Sequence, residues 1–272
     1  MLEDVVNTTF AAKKISMTEL LKTYDTITLD DMKDIRLMNR IDTKFVTTAP
    51  VLRRLLMMAS EDYLVQDTNS QLMAPYFTVY FDTADCAMYH RHQTGHLERQ
   101  KLRIRSYMGS GLNFLEVKTK NNHGRTRKKR MVVEDFTPDE TTAFDVQSPL
   151  YDDFLRSYLQ YDPATLTLQL ENRFDRITLV NKAKTERLTI DTNLRFHNIT
   201  TGRNRFMTDI VIIELKRDGH QPSPILPRLL DLRIHQQGFS KYCIGSALTN
   251  DTLSRNRFKP RLHSIDKLLN NK

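Results

Sequence analysis

The sequence predicts an α+β fold, an antiparallel eight-stranded β-barrel with helices packed around its outside. Three observations carry this expectation: strand-length segments of strict two-residue alternation recur along the 272 residues, hairpin turns join several of them, and helical spacing is confined to short stretches in between. One face of several strands is cationic. Arg99, Lys101, Arg103 and Arg105 share one side of a strand, with Leu102 and Ile104 on the other. Eight such strands can close on themselves, and a lumen lined by every second residue would then hold the cations.

The elements follow in order. Residues 18–35 have helical spacing broken between Thr26 and Asp30, which predicts two short helices. Residues 40–48 alternate as a strand, and Pro50 opens a helix through Leu52, Leu55 and Leu56. A strand over 76–82 leads into a short helix over 86–91. The basic strand then turns at Met108-Gly109-Ser110-Gly111 into a partner where Glu116, Lys118 and Lys120 share a face opposite Leu115 and Val117. A second turn, Asn121-Asn122-His123-Gly124, gives a third strand over 126–134 and completes a meander. A loop and a helix carrying Leu150, Phe154, Leu155 and Tyr158 end before Pro163. Three more strands are expected at 165–181, 186–196 and 207–217, and in the last Glu214 and Lys216 continue the face of Ile210 and Ile212. Pro222, Pro224 and Pro227 mark the start of a helix through Leu229, Leu230 and Leu232. The segment from Gly238 to Tyr242 is a loop or helix entrance, and a helix near 265–269 ends the chain. The expected organisation is an N-terminal helical segment (1–36), a barrel domain (37–252) and a basic tail (253–272).

With 41 Lys and Arg against 33 Asp and Glu, the net charge of +8 favours an anionic partner, whether nucleic acid, a phosphate compound or a membrane surface. For one strand alone, a solvated sheet face explains the cations equally well. Such a face would normally mix signs, however, and the stretch from Arg99 to Arg105 contains no acid. Unpaired buried charges cost roughly several kcal/mol each, so a closed lumen of this kind must hold water, carboxylates or a bound anion. Two distant cysteines, Cys86 and Cys243, suggest neither a disulfide framework nor a zinc site. No leader and no apolar run of membrane length is found, which predicts a cytoplasmic protein. His90, His92 and His96 are read as surface residues of a loop because Gly95 interrupts them, and Asp82 as a turn or helix-cap residue.

Several segments together resemble the triphosphate tunnel metalloenzymes and, within them, the VTC-domain polyphosphate polymerases. They are Asn39-Arg40-Ile41-Asp42-Thr43-Lys44-Phe45, Tyr80-Phe81-Asp82-Thr83, Lys101-Leu102-Arg103-Ile104-Arg105-Ser106-Tyr107, Phe114-Leu115-Glu116-Val117-Lys118, Glu171-Asn172-Arg173, Arg187-Leu188-Thr189-Ile190-Asp191, Ile213-Glu214-Leu215-Lys216 and Phe239-Ser240-Lys241-Tyr242. Their order and spacing over roughly residues 35–250 make the resemblance specific.

The resemblance implies an eight-stranded tunnel that takes ATP and inorganic polyphosphate or triphosphate with Mn²⁺ or Mg²⁺, moving the γ-phosphoryl group of ATP onto a growing chain and releasing ADP. Phosphoryl transfer suits these residue types, because it works mainly through positioning and neutralising charge. Carried over, Arg103, Arg105, Lys118 and Lys241 take catalytic roles. Lys44, Lys101, Lys128, Arg130, Arg173, Arg187 and Ser240 bind phosphates, and Glu214 is the metal ligand. Lys128 and Arg130 lie in a run with cations in both phases. Glu116 is read as the carboxylate that satisfies a neighbouring Arg, and Arg103→Ala is expected to abolish synthesis while leaving the fold intact. The superfamily's hydrolases and cyclases open with two glutamates and a lysine in alternation, whereas this chain has Arg40, Asp42 and Lys44, which favours gripping a long anion over attack by water. The eukaryotic polymerases carry an inositol-phosphate-sensing domain and membrane helices that this sequence lacks, so a separate membrane partner is possible. The alternatives are a tripolyphosphatase or nucleotide hydrolase in the same tunnel, and a non-catalytic polyanion binder. Nucleic acid is not expected, because Tyr107 is the one ring near the main cationic strand.

Overall fold

The computed structural model describes residues 16–32, 35, 40–219 and 221–270. Its strands are β1 (Thr26–Ile27), β2 (Arg40–Thr48), β3 (Tyr63–Gln66), β4 (Ala74–Thr83), β5 (Arg99–Tyr107), β6 (Leu112–Lys120), β7 (Thr126–Val132), β8 (Leu166–Asn181), β9 (Glu186–Asn198), β10 (Asn204–Met207) and β11 (Ile210–Asp218). The helices are α1 (Met17–Leu21), α2 (Ala49–Ala59), α3 (Ala87–Gln93), α4 (Pro149–Tyr158), α5 (Ile225–Asp231), α6 (Lys241–Thr249) and α7 (Lys259–Asn270). Eight strands form one antiparallel path in the order β2-β11-β9-β8-β4-β5-β6-β7, with β1, β3 and β10 attached beside it.

Alternation sorts the side chains of this sheet onto two faces. The outer face is apolar and lies under helices. Phe45, Ile177, Leu179, Leu188, Ile190, Val211, Ile213 and Leu215 pack with α1, α2 and α5, while Phe77, Val79, Phe81, Leu102, Ile104, Leu115 and Val117 pack with α4. The inner face is divided. One part is apolar, where Val46, Tyr80, Leu170, Phe174, Leu194, Phe196, Ile210 and Ile212 form a cluster with Tyr242, Cys243, Ile244 and Ala247 of α6. The other part carries the charges. Gly245 lets α6 seat this closely, because a Cβ there would meet Phe196 Cδ1 at 2.5 Å and Leu170 Cδ2 at 2.7 Å.

The expected barrel is not closed. Among the described residues no pairing joins β2 to β7, so the eight-strand path is a curled sheet with a seam. Both edges resist closure for visible reasons. β7 is short and exposed and carries cations in both phases, which repels strand addition, whereas the free edge of β2 is met by the segment before α6, through a Phe45–Gln236 bridge and Gln237 N–H donating to Lys44 O at 2.8 Å.

Other expectations need correcting. Thr26–Ile27 is a strand pairing in parallel with β3, not a helix break, and the second helix proposed over residues 30–35 falls partly outside the described residues. β3 and β10 had no counterpart in the sequence reading, since each is only four residues long and carries too little periodicity to detect. His90 and His92 lie on α3 rather than in a surface loop, and the His92 ring packs at 5.9 Å from Phe258. The cysteines are free and buried, and no helix among the described residues is long and apolar enough to cross a membrane.

Candidate functional site

Cross-strand pairing turns the alternating cations of single strands into rows. Lys101 of β5 pairs with Lys118 of β6, which pairs with Lys128 of β7. Next to this lysine row runs Tyr80, Arg103, Glu116 and Arg130. At the other end of the path, Lys44 of β2 pairs with Glu214 of β11, and Asp42 with Lys216, which faces Arg187 of β9. The register also resolves the ambiguous run on β7: Lys128 and Arg130 share the face of Glu116 and Lys118, and Arg127 and Lys129 point the other way.

The two ends meet across a trough. Lys44 and Glu214 both act electrostatically on Lys118, although β2 and β6 are six strands apart along the path. In a flat sheet they would be roughly 29 Å apart, beyond useful range in salt, so the sheet must curl to bring them together. The loop entering α6 ties the walls to each other. Lys44 Nζ donates to Phe239 O at 3.1 Å, Lys101 Nζ donates to Ser240 Oγ at 2.7 Å, and Lys241 Nζ donates to Asp191 of β9. Three consecutive residues thus contact three strands. Ser240 also caps α6 by accepting from Cys243 N–H at 3.2 Å, which points the positive end of this helix at the cations.

Each of three inner carboxylates is held between two cations. Glu116, fully buried, accepts from Arg103 Nε and Nη2 at 2.8 and 2.6 Å and from Lys128 at 3.1 Å. Asp191 accepts from Arg176 Nε at 2.6 Å and from Lys241. Glu214 lies 3.1 Å from Lys216 and 3.7 Å from Lys44. Burial alone would raise these acids, but the cations outweigh it and hold all three well below the usual carboxylate range, Glu116 at about 2.

Lys101, Lys118 and Arg105 form no ion pair with a carboxylate among the described residues. Lys118 makes no hydrogen bond or ion pair with a described residue, and burial followed by the charges of Lys44 and Arg103 lowers it to about 7. Lys101 is lowered to about 8, first by burial, with Lys44, Arg99 and Arg103 adding repulsion. Lys241 is brought to about 7 because burial outweighs the attraction of Asp191. Arg105 is buried with Nε unpartnered, its guanidinium 5.8 Å from the Tyr76 ring. This excess of largely buried positive charge is chemically suited to several anionic oxygens at once.

Eleven of the twelve residues proposed from the sequence converge here: Lys44, Lys101, Arg103, Arg105, Lys118, Lys128, Arg130, Arg187, Glu214, Ser240 and Lys241. Arg173 does not. It pairs opposite Phe77 on the outer face, stacks on that ring at 4.4 Å and bonds Asp139 at 2.9 Å. The inner faces of β8 belong to Asn172, Phe174 and Arg176, and Arg176 was missed. Its signal was present, since Ile177 and Leu179 are apolar and must face a core, which sends Arg176 inward. Asp82 fulfils its capping role, accepting from the N–H groups of Thr83, Met88 and Tyr89 and from Tyr242 Oη. The side chain of Arg40 is outside the described residues.

A metal would find a limited set of donors. No group of three or more His, Cys, Asp or Glu among the described residues could cage an ion. Glu214, on the inner face of β11 beside Lys44 and Lys216, offers the hard oxygen that suits a divalent ion taking most of its ligands from substrate phosphates and water.

Comparison with known proteins adds the following. The VTC domain profile matches residues 39–250. No curated protein matches the chain significantly. Among solved structures, a Hippeastrum protein reported to have a dominant triphosphatase activity aligns at 16% identity and a TM-score of 0.49, covering 77% of this chain and 96% of its own. A Bacillus halodurans protein provisionally assigned as an adenylate cyclase aligns at 16% identity and 0.47 over 75% and 96%, and a Pyrococcus horikoshii protein at 11% and 0.41 over 76% and 98%.

Proposed function

The chain belongs to the VTC domain family, and on that premise we propose that it is an ATP-dependent polyphosphate polymerase working in the cationic trough. The γ-phosphorus of ATP loses its bond to the ADP oxygen and gains one to the terminal oxygen of a phosphate chain. Lys101, Lys118 and Arg105 neutralise the oxygens that line up for this exchange, and Arg103, fixed in direction by Glu116, positions them. The α6 N-terminus, with Ser240 and Lys241, holds the next phosphates along. A divalent ion bound with the substrate would neutralise further phosphate charge, with Glu214 as its protein ligand.

One observation favours polymerase over hydrolase. Glu116, Asp191 and Glu214 are each clamped by two cations and kept weakly basic, so none is suited to take a proton from water. The end of a phosphate chain is already an anion and needs no such base. Bound phosphates would in turn keep the lysines protonated. Incubating the protein with ATP and Mn²⁺ or Mg²⁺ tests the reading: ADP should appear together with long phosphate chains. Orthophosphate without chains would establish the hydrolase instead, and unconsumed ATP a simple binder.

A further inference from the structure

The outer phase of β7 has no task in the trough, yet it is as basic as the inner phase. Arg127 and Lys129 project from the outer face and Arg125 from the preceding turn, all exposed, while Lys128 and Arg130 project inward from the same strand. Arg125, Arg127, Lys129 and Arg130 form no ion pair with any described residue. Charges on β7 blunt its free edge against strand addition, but that role does not call for a basic face continuous with the trough. Five in six residues at the open side of the sheet is a polyanion surface.

This surface is continuous with the trough. The row Lys101, Lys118, Lys128 crosses from β5 through β6 to the edge strand, with directly opposed positions whose Cβ atoms lie about 4.5–5.5 Å apart. Like charges so arranged repel, and a linear anion laid across them relieves the repulsion. Because β7 pairs only with β6, nothing in the described sheet blocks a chain that follows the row over the edge. The rings beside this edge are already covered, Phe114 by Arg130 at 4.5 Å and Tyr158 by Lys129 at 5.1 Å, so bases have no free platform for stacking.

We propose that the β7 rim is a second polyphosphate-binding surface, which carries the chain out of the trough across the open edge of the sheet. It rests on the polyphosphate reading above and extends it, predicting that affinity depends on chain length. The test measures binding of inorganic tripolyphosphate, which fits the trough alone, and of polyphosphate several tens of phosphates long, to the wild type and to Arg127→Glu/Lys129→Glu. Lys22→Glu/Arg54→Glu, two exposed residues on the helical side, carries the same change in net charge. The wild type should bind the long chain at least about tenfold more tightly than tripolyphosphate. The rim variant should lose that advantage, with a salt slope shallower by about one or two and tripolyphosphate binding unchanged, while the control variant keeps it. Undiminished long-chain affinity in the rim variant overturns the rim and leaves the trough standing. Equal loss in the control variant reduces the effect to net charge and also overturns it. Single-stranded RNA of matching charge binding the rim as tightly would reassign the surface to nucleic acid, and wild type binding neither phosphate would overturn the polyphosphate reading itself.

Discussion

Arg103 and Lys118 look alike in the sequence, as inward cations on neighbouring strands, but the structure gives them different jobs. Arg103 is the main partner of a fully buried carboxylate, so Arg103→Ala leaves Glu116 with Lys128 alone. The expectation that this substitution spares the fold is therefore revised: it should cost about 3–5 kcal/mol in denaturant unfolding as well as activity. Lys118 has no such partner. Lys118→Met should remove polymerisation while leaving unfolding free energy equal to or above wild type, because it relieves repulsion at a half-buried site. Only that variant separates catalysis from folding. Glu214→Gln keeps the shape of the side chain but removes the carboxylate charge proposed to hold the metal beside Lys44 and Lys216, so the Mn²⁺ concentration giving half-maximal activity should rise about tenfold or more. An unchanged metal titration removes Glu214 from the site.

Among the elements, α6 does most to shape the site. It fills the apolar part of the curled sheet, and the three residues at its entrance fix Lys44, Lys101 and Asp191. Its seat depends on Gly245, which is not in the left-handed region and is required for space alone. Gly245→Ala should therefore destabilise the protein by about 1–3 kcal/mol despite the better helix propensity of alanine, and should weaken tripolyphosphate binding through displacement of Ser240 and Lys241. Thermal unfolding together with calorimetric titration checks both. A stability gain would show that α6 has slack against Phe196 and Leu170. The strand elements were largely legible in sequence because each presents apolar residues to an outer core at a period of two. Arg173 was misplaced for the complementary reason: the motif Glu171-Asn172-Arg173 was matched as a string, whereas the apolar Ile177 and Leu179 fix the phase and turn Arg176, not Arg173, inward.

For the molecule as a whole, the excess of buried positive charge makes stability and binding respond to pH in opposite ways. Lys101, Lys118 and Lys241 titrate at about 8, 7 and 7 when folded and near 10.5 when unfolded, so between those values the unfolded chain binds more protons. Stability of the free protein should accordingly rise from pH 7 to about 9.5, before the buried tyrosines, whose ionisation folding suppresses, reverse the trend. A bound anion restores the protonated lysines, so the increase in melting temperature given by tripolyphosphate should shrink over the same interval. At the acid end, Glu116, Asp191 and Glu214 contribute stability above the unfolded carboxylate range, and it is lost as pH falls through their depressed values. Melting curves with and without tripolyphosphate across pH 6–9.5 measure both. A ligand effect independent of pH would mean that these lysines do not face the anion.

The sequence by itself determined which residues could share a face, because alternation is a local property of the extended chain and needs no partner. It therefore disclosed the cationic strands, most of the residues that the structure gathers along the trough, and the kinship with the VTC family. Only the tertiary structure decided most of the charge pairs, since Asp191 with Arg176 and Lys241 and Glu214 with Lys44 are joined by register, curvature and a loop, and the Lys44 ammonium also reaches the Phe239 carbonyl 195 residues away. Closure of the sheet belongs to the same class: whether two edges meet depends on twist and edge chemistry summed over eight strands, and no single strand encodes that sum.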